Sequence, residues 1–215
     1  MAINTFTLKM IAIVAMLIDH VGAVIFPQYI ELRIIGRLAF PIFAYTLVEG
    51  FIHTHDVFKY MKRLGILALL SEIPFDLAFF GTVLEFSHQN VFFTLFLGIL
   101  MLYLLIQTPS KVRKVIVVIA MFLLSECLHT DYSSMGLLMI LVYYYFREKK
   151  VIKYIGIAII NIFLMGYIQS YAVLAILPIM LHNGEQGPKC KKFFYGFYPV
   201  HLLAIYLCSV LLTLG

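Results

Sequence analysis

The sequence predicts an all-α protein, a polytopic bundle of about nine transmembrane helices with the N-terminus in the cytoplasm and the C-terminus outside. Three observations carry that expectation. Hydrophobic residues fill 63% of the positions and charged residues 13%, with a mean hydropathy of +0.99, far from the makeup of a soluble domain. The apolar residues fall in runs near twenty, the length at which a helix rising about 1.5 Å per residue crosses roughly 30 Å of hydrocarbon. The connections between runs alternate between basic and non-basic, as the positive-inside rule requires of a chain threaded back and forth.

The first run, 8–26, is interrupted by Asp19 and His20 and followed by no small-residue cleavage site, so it reads as a retained helix rather than a leader. The second covers 34–53, and Lys59, Lys62 and Arg63 follow it. The third, 63–80, leads into a connection at 81–89 without Lys or Arg. The fourth, 90–107, ends at Lys111, Arg113 and Lys114, and the fifth, 113–129, at a short connection, 130–132, without basic residues. After the sixth, 133–147, come Arg147, Lys149, Lys150 and Lys153. The seventh and eighth, 151–168 and 170–183, meet at Gln169, and Lys189, Lys191 and Lys192 precede the ninth, 194–213. Arg33 and Arg37 fall at the outer end of the second run and break the charge rule, so they need another reason to exist.

Segment 151–183 must cross twice, yet wholly helical it is only about 50 Å long. Either its helices are short, tilted or broken beside a solvated funnel, or the bilayer thins around them. No repeat, low-complexity stretch or linker divides the chain, which reads as one domain over 1–215. The net charge of +5 sits in short loop clusters, acting as topology signals rather than a nucleic-acid surface. Cys127, Cys190 and Cys208 have no metal-type spacing, and no metal site is expected.

A charge at mid-membrane costs about 2.5 to 3.5 kcal/mol on insertion scales, which makes intramembrane ionisable residues functional candidates. Sorted by the predicted topology they converge on the outer side: Asp19 and His20, Arg33 and Arg37, Glu72 and Asp76, His88 to Asn90, Glu126, His129, Asp131 and Gln169. Arg33 and Arg37 are four residues apart, as are Glu72 and Asp76, so each pair shares a helix face. Histidine is the common general base near neutral pH. Adjacent residues point about 100° apart, so Asp19 is not the obvious partner of His20; a carboxylate of the third helix or Glu126 is the better candidate. The plainer alternative is an ion-pair network that only fixes packing. On the inner side, Asn183, Lys189, Lys191, Tyr198 and His201 surround a basic, glycine-containing turn that suits a phosphate-rich nucleotide, or is simply a positive-inside loop with interfacial tyrosines.

Several strings, taken in order, resemble the TraX family: LKMIAIVAMLIDHVG at 8–22, GRLAFPIFAYTLVEGF at 36–51, SEIPFD at 71–76, QNVFFTLFLG at 89–98, DYSSMG at 131–136, LHNGEQG at 181–187 and FFYGFYPVHLL at 193–203. The chain departs from the family pattern at His182, where a tyrosine is usual, and at Ser133, where a small residue is common. The resemblance implies an acetyltransferase of the bacterial cytoplasmic membrane, similar to the enzyme that acetylates the N-terminus of conjugative pilin and distantly to multi-helix membrane acyltransferases that take acetyl-CoA from the cytoplasm. By motif it implies catalytic roles for Asp19, His20, Arg37, Glu72 and Asp76 and nucleotide contacts for Asn183 and His201; the acceptor, a peptide or glycan, stays undetermined. Arg33, Asn90, His129, Asp131 and Gln169 are the expected acceptor-side residues, with Arg37 and Asn90 the expected oxyanion donors. Two readings from other classes compete: a proton-coupled transporter or flippase, whose intramembrane charges would form a relay, and a non-catalytic partner of a secretion or conjugation assembly.

Overall fold

The computed structural model describes residues 2–188 and 190–214. Among these the chain is helical with no strand, and only two isolated backbone bridges, Ile3 to His182 and Gln89 to Thr130, join distant segments. The helices are α1 (Thr5–Val24), α2 (Ile30–Gly36), α3 (Ala39–Ile52), α4 (Val57–Phe80), α5 (Val91–Gln107), α6 (Lys111–Cys127), α7 (Ser133–Tyr145), α8 (Lys150–Ile159), α9 (Ile176–Met180) and α10 (Lys191–Leu214). Among the described residues three stretches are long and apolar enough to cross a membrane: Thr5–Val24, Ile30–Ile52, which joins α2 and α3, and Lys192–Thr213. Apolar helices at 91–107, 133–145 and 168–180 are shorter.

Most of the expected runs correspond to one helix each and differ from it at the ends, while the second run divides and the seventh and eighth are broken. Asn4 caps α1, its side-chain oxygen accepting from the Thr7 N–H at 2.9 Å, so the helix begins three residues before the apolar run. Asp56 does the same for α4 through Lys59, which draws Lys59, Lys62 and Arg63 into a helix that hydropathy alone starts at 63. Gly81, at φ 69°, terminates α4 in the left-handed conformation that glycine adopts without cost. Asn90 caps α5. The predicted second helix divides at Arg37 and Leu38 into α2 and α3.

The segment that is too short to cross twice is broken. After α8 the backbone widens into a π turn at Ile160–Leu164, reverses at Gly166 with φ 85°, tightens into a 3-10 stretch at Ile168–Ala175 and ends in the single turn of α9.

One apolar core joins the helices. Leu8, Ala12 and Met16 of α1, Phe40 to Phe51 of α3, Leu95 to Leu105 of α5 and Leu137 to Tyr143 of α7 contribute to it. α1 packs against α2, α3 and α10, and α4 lies between α5 and α10. The N-terminal strand-like residues are tied to the 181–187 segment: the Ile3 N–H donates to the Leu181 carbonyl at 2.9 Å, that of Asn183 to Ile3 at 2.9 Å and that of Thr5 to Glu185 at 2.8 Å. In contrast, α6 buries only Met121 and Ser125 and shows a face of exposed valine, isoleucine and leucine.

Among the described glycines, the tightest surroundings are those of Gly36, where α2 meets α1. A Cβ added at Gly36 would lie 2.1 Å from that of Asp19, nearer than real Cβ contacts come. We therefore expect Gly36→Ala to push the two helices apart and lower stability by at least the ~1–3 kcal/mol of an overpacked core. Gly196→Ala, whose added methyl meets nothing within 4 Å, is neutral or stabilising. Thermal denaturation of the two variants in detergent checks the contrast.

Candidate functional site

Asp19, on the inward face of α1 and only 8% exposed, is held between two guanidiniums. Arg37 Nη2 donates to both of its carboxylate oxygens at 2.6 Å, and Arg33 Nη1 donates to Oδ2 at 3.0 Å and to the Asp19 carbonyl at 3.2 Å. Arg37 Nε in turn donates to the Arg33 carbonyl at 3.2 Å, which fixes the second guanidinium on the first turn's backbone. The four-residue spacing read from the sequence thus does place both arginines on one partner, and the absent side chain at Gly36 makes room for the carboxylate.

His20 is not oriented by a carboxylate. Its Nδ1 lies 2.8 Å from Nε2 of His201 on α10, and His201 Nδ1 lies 2.9 Å from the Phe197 carbonyl. A carbonyl only accepts, so His201 Nδ1 carries a proton; with both rings neutral, His201 Nε2 then accepts from His20 Nδ1–H. That chain of donors leaves His20 Nε2 unprotonated. Edge-on contacts with Phe79 and Tyr198, at centroid distances of 5.3 and 6.0 Å, hold the ring from two sides. This corrects two expectations. Neither a carboxylate of α4 nor Glu126 reaches His20, and Tyr198 and His201 stand beside His20 rather than on the basic turn. His201 is ten residues into α10, about 15 Å along its axis, deep enough to meet the far part of α1.

Two cavities meet at this point. One, of about 250 Å³, is bordered by Asp19, His20, Arg33, Arg37, Asp131, Tyr132 and Tyr198, with Phe40, Phe75 and Phe79 as its apolar wall. The other, of about 520 Å³ and more open, is bordered by the same two arginines, Asp131 and Tyr132, and then by Met165 to Gln169 of the broken segment. Irregular backbone therefore lines a cavity here, as it must if it lies at membrane depth. The α6–α7 turn forms the shared wall in a costly conformation: His129, Tyr132 and Ser133 have φ of 49°, 63° and 41°, a region side-chain-bearing residues seldom occupy. Tyr132 pays for that conformation with a ring stacked on Phe40, the centroids 3.8 Å apart. Burial pushes its phenol pKa up, keeping it a neutral donor.

The remaining candidates divide. Asp131 and Gln169 border the larger cavity, and Gln169 Nε2 is steadied by Asn161 Oδ1 at 3.1 Å. Glu72 and Asp76 share a face, as expected, but it is turned toward α5 and the 81–90 connection, and neither borders either of these two cavities. Glu72 accepts from the Asn90 side chain, and Asp76 Oδ2 accepts from the Glu85 N–H at 2.9 Å. Asn90 is fully buried and committed to the Ala68 carbonyl, Glu72 and the Phe92 N–H, so it is a helix cap and not an oxyanion donor. His129 is exposed and contributes its backbone carbonyl to Gln89 at 2.9 Å. At the opposite end Asn183 bonds Glu185 at 2.9 Å; Lys189 lies outside the described residues, and the backbone at Lys191 begins α10.

Sequence reasoning placed His88 on the outer side without its partner Asp131, and missed Tyr132 and the role of His182. Tyr132 lies inside a recognised string, but its stacking depends on a left-handed backbone that no residue type announces. His182 joins Thr5 Oγ1 at 2.9 Å to the Tyr45 hydroxyl at 3.0 Å, so it links the start of α1 to α3.

The TraX family profile, described as TraX protein, matches residues 5–209, which include every cavity residue above. The chain belongs to the TraX family. It is similar to a probable fimbrial assembly protein FimC, serogroup H1, of Dichelobacter nodosus, with 32% identity over 96% of this chain and 95% of that protein. A shorter similarity, 32% identity over 42% of this chain and 33% of the other, links it to the uncharacterized protein RP591 of Rickettsia prowazekii strain Madrid E. No solved structure matches it significantly.

In this TraX chain His88 Nε2 lies 3.7 Å from Asp131 Oδ1, and that contact raises the His88 pKa above 6.5 against the opposing effect of burial. A raised histidine pKa contributes stability that is complete below the unfolded value of about 6.5 and disappears as pH rises through the folded value. The wild-type protein is expected to melt higher than His88→Gln near pH 5.5–6 and to lose that margin by about pH 9. Melting curves of both proteins across that range check it.

Proposed function

We propose that the chain is a multi-pass acetyltransferase of the bacterial cytoplasmic membrane, with its N-terminus inside and its C-terminus outside, that moves an acetyl group from cytoplasmic acetyl-CoA to an amine or hydroxyl at the extracytoplasmic side. The observation that carries the reading is the unprotonated Nε2 of His20, held by His201 in a cavity that also presents two guanidiniums. The helices that fall short of a full span are accommodated by the core they share with the longer ones and by local thinning.

In the reaction, His20 Nε2 takes the proton from the acceptor N–H or O–H as the acceptor atom attacks the thioester carbonyl carbon. The new C–N or C–O bond forms while the C–S bond breaks, and the imidazolium returns its proton to the departing thiolate. His201 and the Phe197 carbonyl stabilise the imidazolium by accepting along the relay, and Arg37 faces the negative charge that develops on the carbonyl oxygen. His20 stands fifteen residues, about 22 Å, along α1 from Thr5, whose N–H donates to the Glu185 carbonyl, and this is the distance the acyl arm spans from a nucleotide held at that end. Core residues Leu8, Ala12 and Met16 lie along that interval, so donor binding requires neighbouring helices to part. Glu72 and Asp76 act in this scheme through α5 and its cap, as positioning residues. The name of the Dichelobacter relative makes a fimbrial subunit, or a glycan on one, the first acceptor to try.

His20→Ala is expected to lower acetyl transfer from labelled acetyl-CoA in membranes by about 10²–10⁴-fold, the usual worth of a positioned base. Undiminished transfer removes His20 from the mechanism. His201→Gln, whose amide oxygen can still accept from His20 Nδ1, retains more activity than His201→Leu, with the difference in kcat rather than KM. Free CoA is expected to raise the melting temperature of the detergent-purified protein. If it does not, and no transfer occurs, the transporter or assembly-partner reading takes precedence.

A further inference from the structure

The ion cluster at Asp19 is unequal. One carboxylate faces two permanent cations, and the geometry of the guanidiniums shows where the excess is directed. Arg33 uses Nη1 and Arg37 uses Nη2 and Nε on protein oxygens, while Arg33 Nε and Nη2 and Arg37 Nη1 have no protein partner among the described residues. Both side chains are mostly sequestered, with 29% and 16% exposure, and both border the two cavities. Guanidinium donors left open on a cavity wall favour an anion, because the planar fork of N–H groups matches carboxylate or phosphate oxygens. Asp131 does not fill that role. It borders the same cavities but forms no ion pair with either arginine, and its carboxylate is turned to His88. The cavities therefore offer a cationic surface, an anionic surface and an unprotonated imidazole around one space.

We infer that the acceptor carries an anionic group, carboxylate or phosphate, a few bonds from its nucleophile, and that Arg33 with the open donor of Arg37 binds it from the larger cavity. The inference rests on the acetyltransferase reading and names the substrate class of that site. The anion sits against the guanidiniums at the shared wall; the nucleophile, an amine whose ammonium form is attracted to Asp131, gives up its extra proton to solvent through the open larger cavity and extends past Tyr132 into the smaller one as the free base, where His20 Nε2 takes one N–H proton as the nitrogen attacks the thioester. The amine–anion pair matches the arrangement Asp131, Arg33 and Arg37 present, and Gln169 closes the outer side of the anion site. The donor's own phosphates are served elsewhere in this scheme, by the lysine-rich turn at the opposite end of α1 and α10.

The test uses three amines that differ only in the attached group: ethanolamine, phosphoethanolamine and phosphatidylethanolamine in vesicles. With the full-length protein in detergent or proteoliposomes and labelled acetyl-CoA, phosphoethanolamine or the lipid is expected to exceed ethanolamine in kcat/KM by about tenfold or more, the scale of one charge-assisted contact. Preference for the soluble compound identifies a water-soluble acceptor and preference for the vesicle a lipid-borne one; either supports the inference. Arg33→Gln brings the ratio of anionic to neutral acceptor toward one, and Arg33→Lys, which keeps the charge and the pairing with Asp19, retains part of it. Equal use of all three amines overturns the inference while leaving the enzyme intact. So does an Arg33→Gln effect confined to the KM for acetyl-CoA, which would assign the arginine to the donor. If no acetyl transfer occurs, thermal protection by phosphoethanolamine and not by ethanolamine, lost in Arg33→Gln, upholds the anion site and rejects the acetyltransferase reading; no protection rejects both.

Discussion

The architecture of this site depends on one buried carboxylate shared by two arginines. Asp19 ties α1 to α2 through three charge-assisted contacts, and α2 reaches it only because residue 36 lacks a side chain. Such a cluster is a poor source of net stability, since desolvating the charges offsets much of their attraction. Its removal piece by piece is expensive all the same: an unmatched guanidinium in an apolar setting costs about 3–5 kcal/mol. A cluster that contributes little and is costly to dismantle acts as a positional lock, and it fixes the walls that both cavities share.

Beside this charged lock stands an uncharged one. The His20–His201 contact links α1 to α10 with neutral rings, and a backbone carbonyl sets the direction of every proton in the chain. The two devices are complementary. Charge holds α2 against α1 on one side of the cavity, while the relay holds α10 on the other and leaves His20 Nε2 with an uncommitted lone pair. The strained α6–α7 turn supplies the third side, and the stack of Tyr132 on Phe40 offsets the conformational cost of the left-handed residues.

Much of this was legible in the sequence, and the failures have physical causes. Apolar runs and alternating basic loops locate the helices, since both report directly on solvent preference. Helix ends were misread where a cap outweighs hydropathy, as Asp56 does for α4. The departure of Arg33 and Arg37 from the charge rule pointed to a specific partner, and Asp19 is that partner. Spacing identified a common face for Glu72 and Asp76 but not the neighbour to which the face is turned, because rotation of a helix about its axis is decided by contacts distant in sequence. His201 was grouped with the basic turn for its proximity along the chain, whereas its depth along α10 is what counts. A string such as DYSSMG gives no sign that its tyrosine adopts a left-handed backbone.

The histidine pair has a consequence for the birth of the molecule. Its two members are 181 positions apart, on the first and last helices, and the strand-like residues at 3–5 likewise find their partners only at 181–185. A ribosome releases the first half of each contact long before the second. During synthesis the imidazole of α1 therefore waits without an orienting neighbour, and the two-ring relay is assembled only after α10 has docked, so an incomplete chain carries half of it.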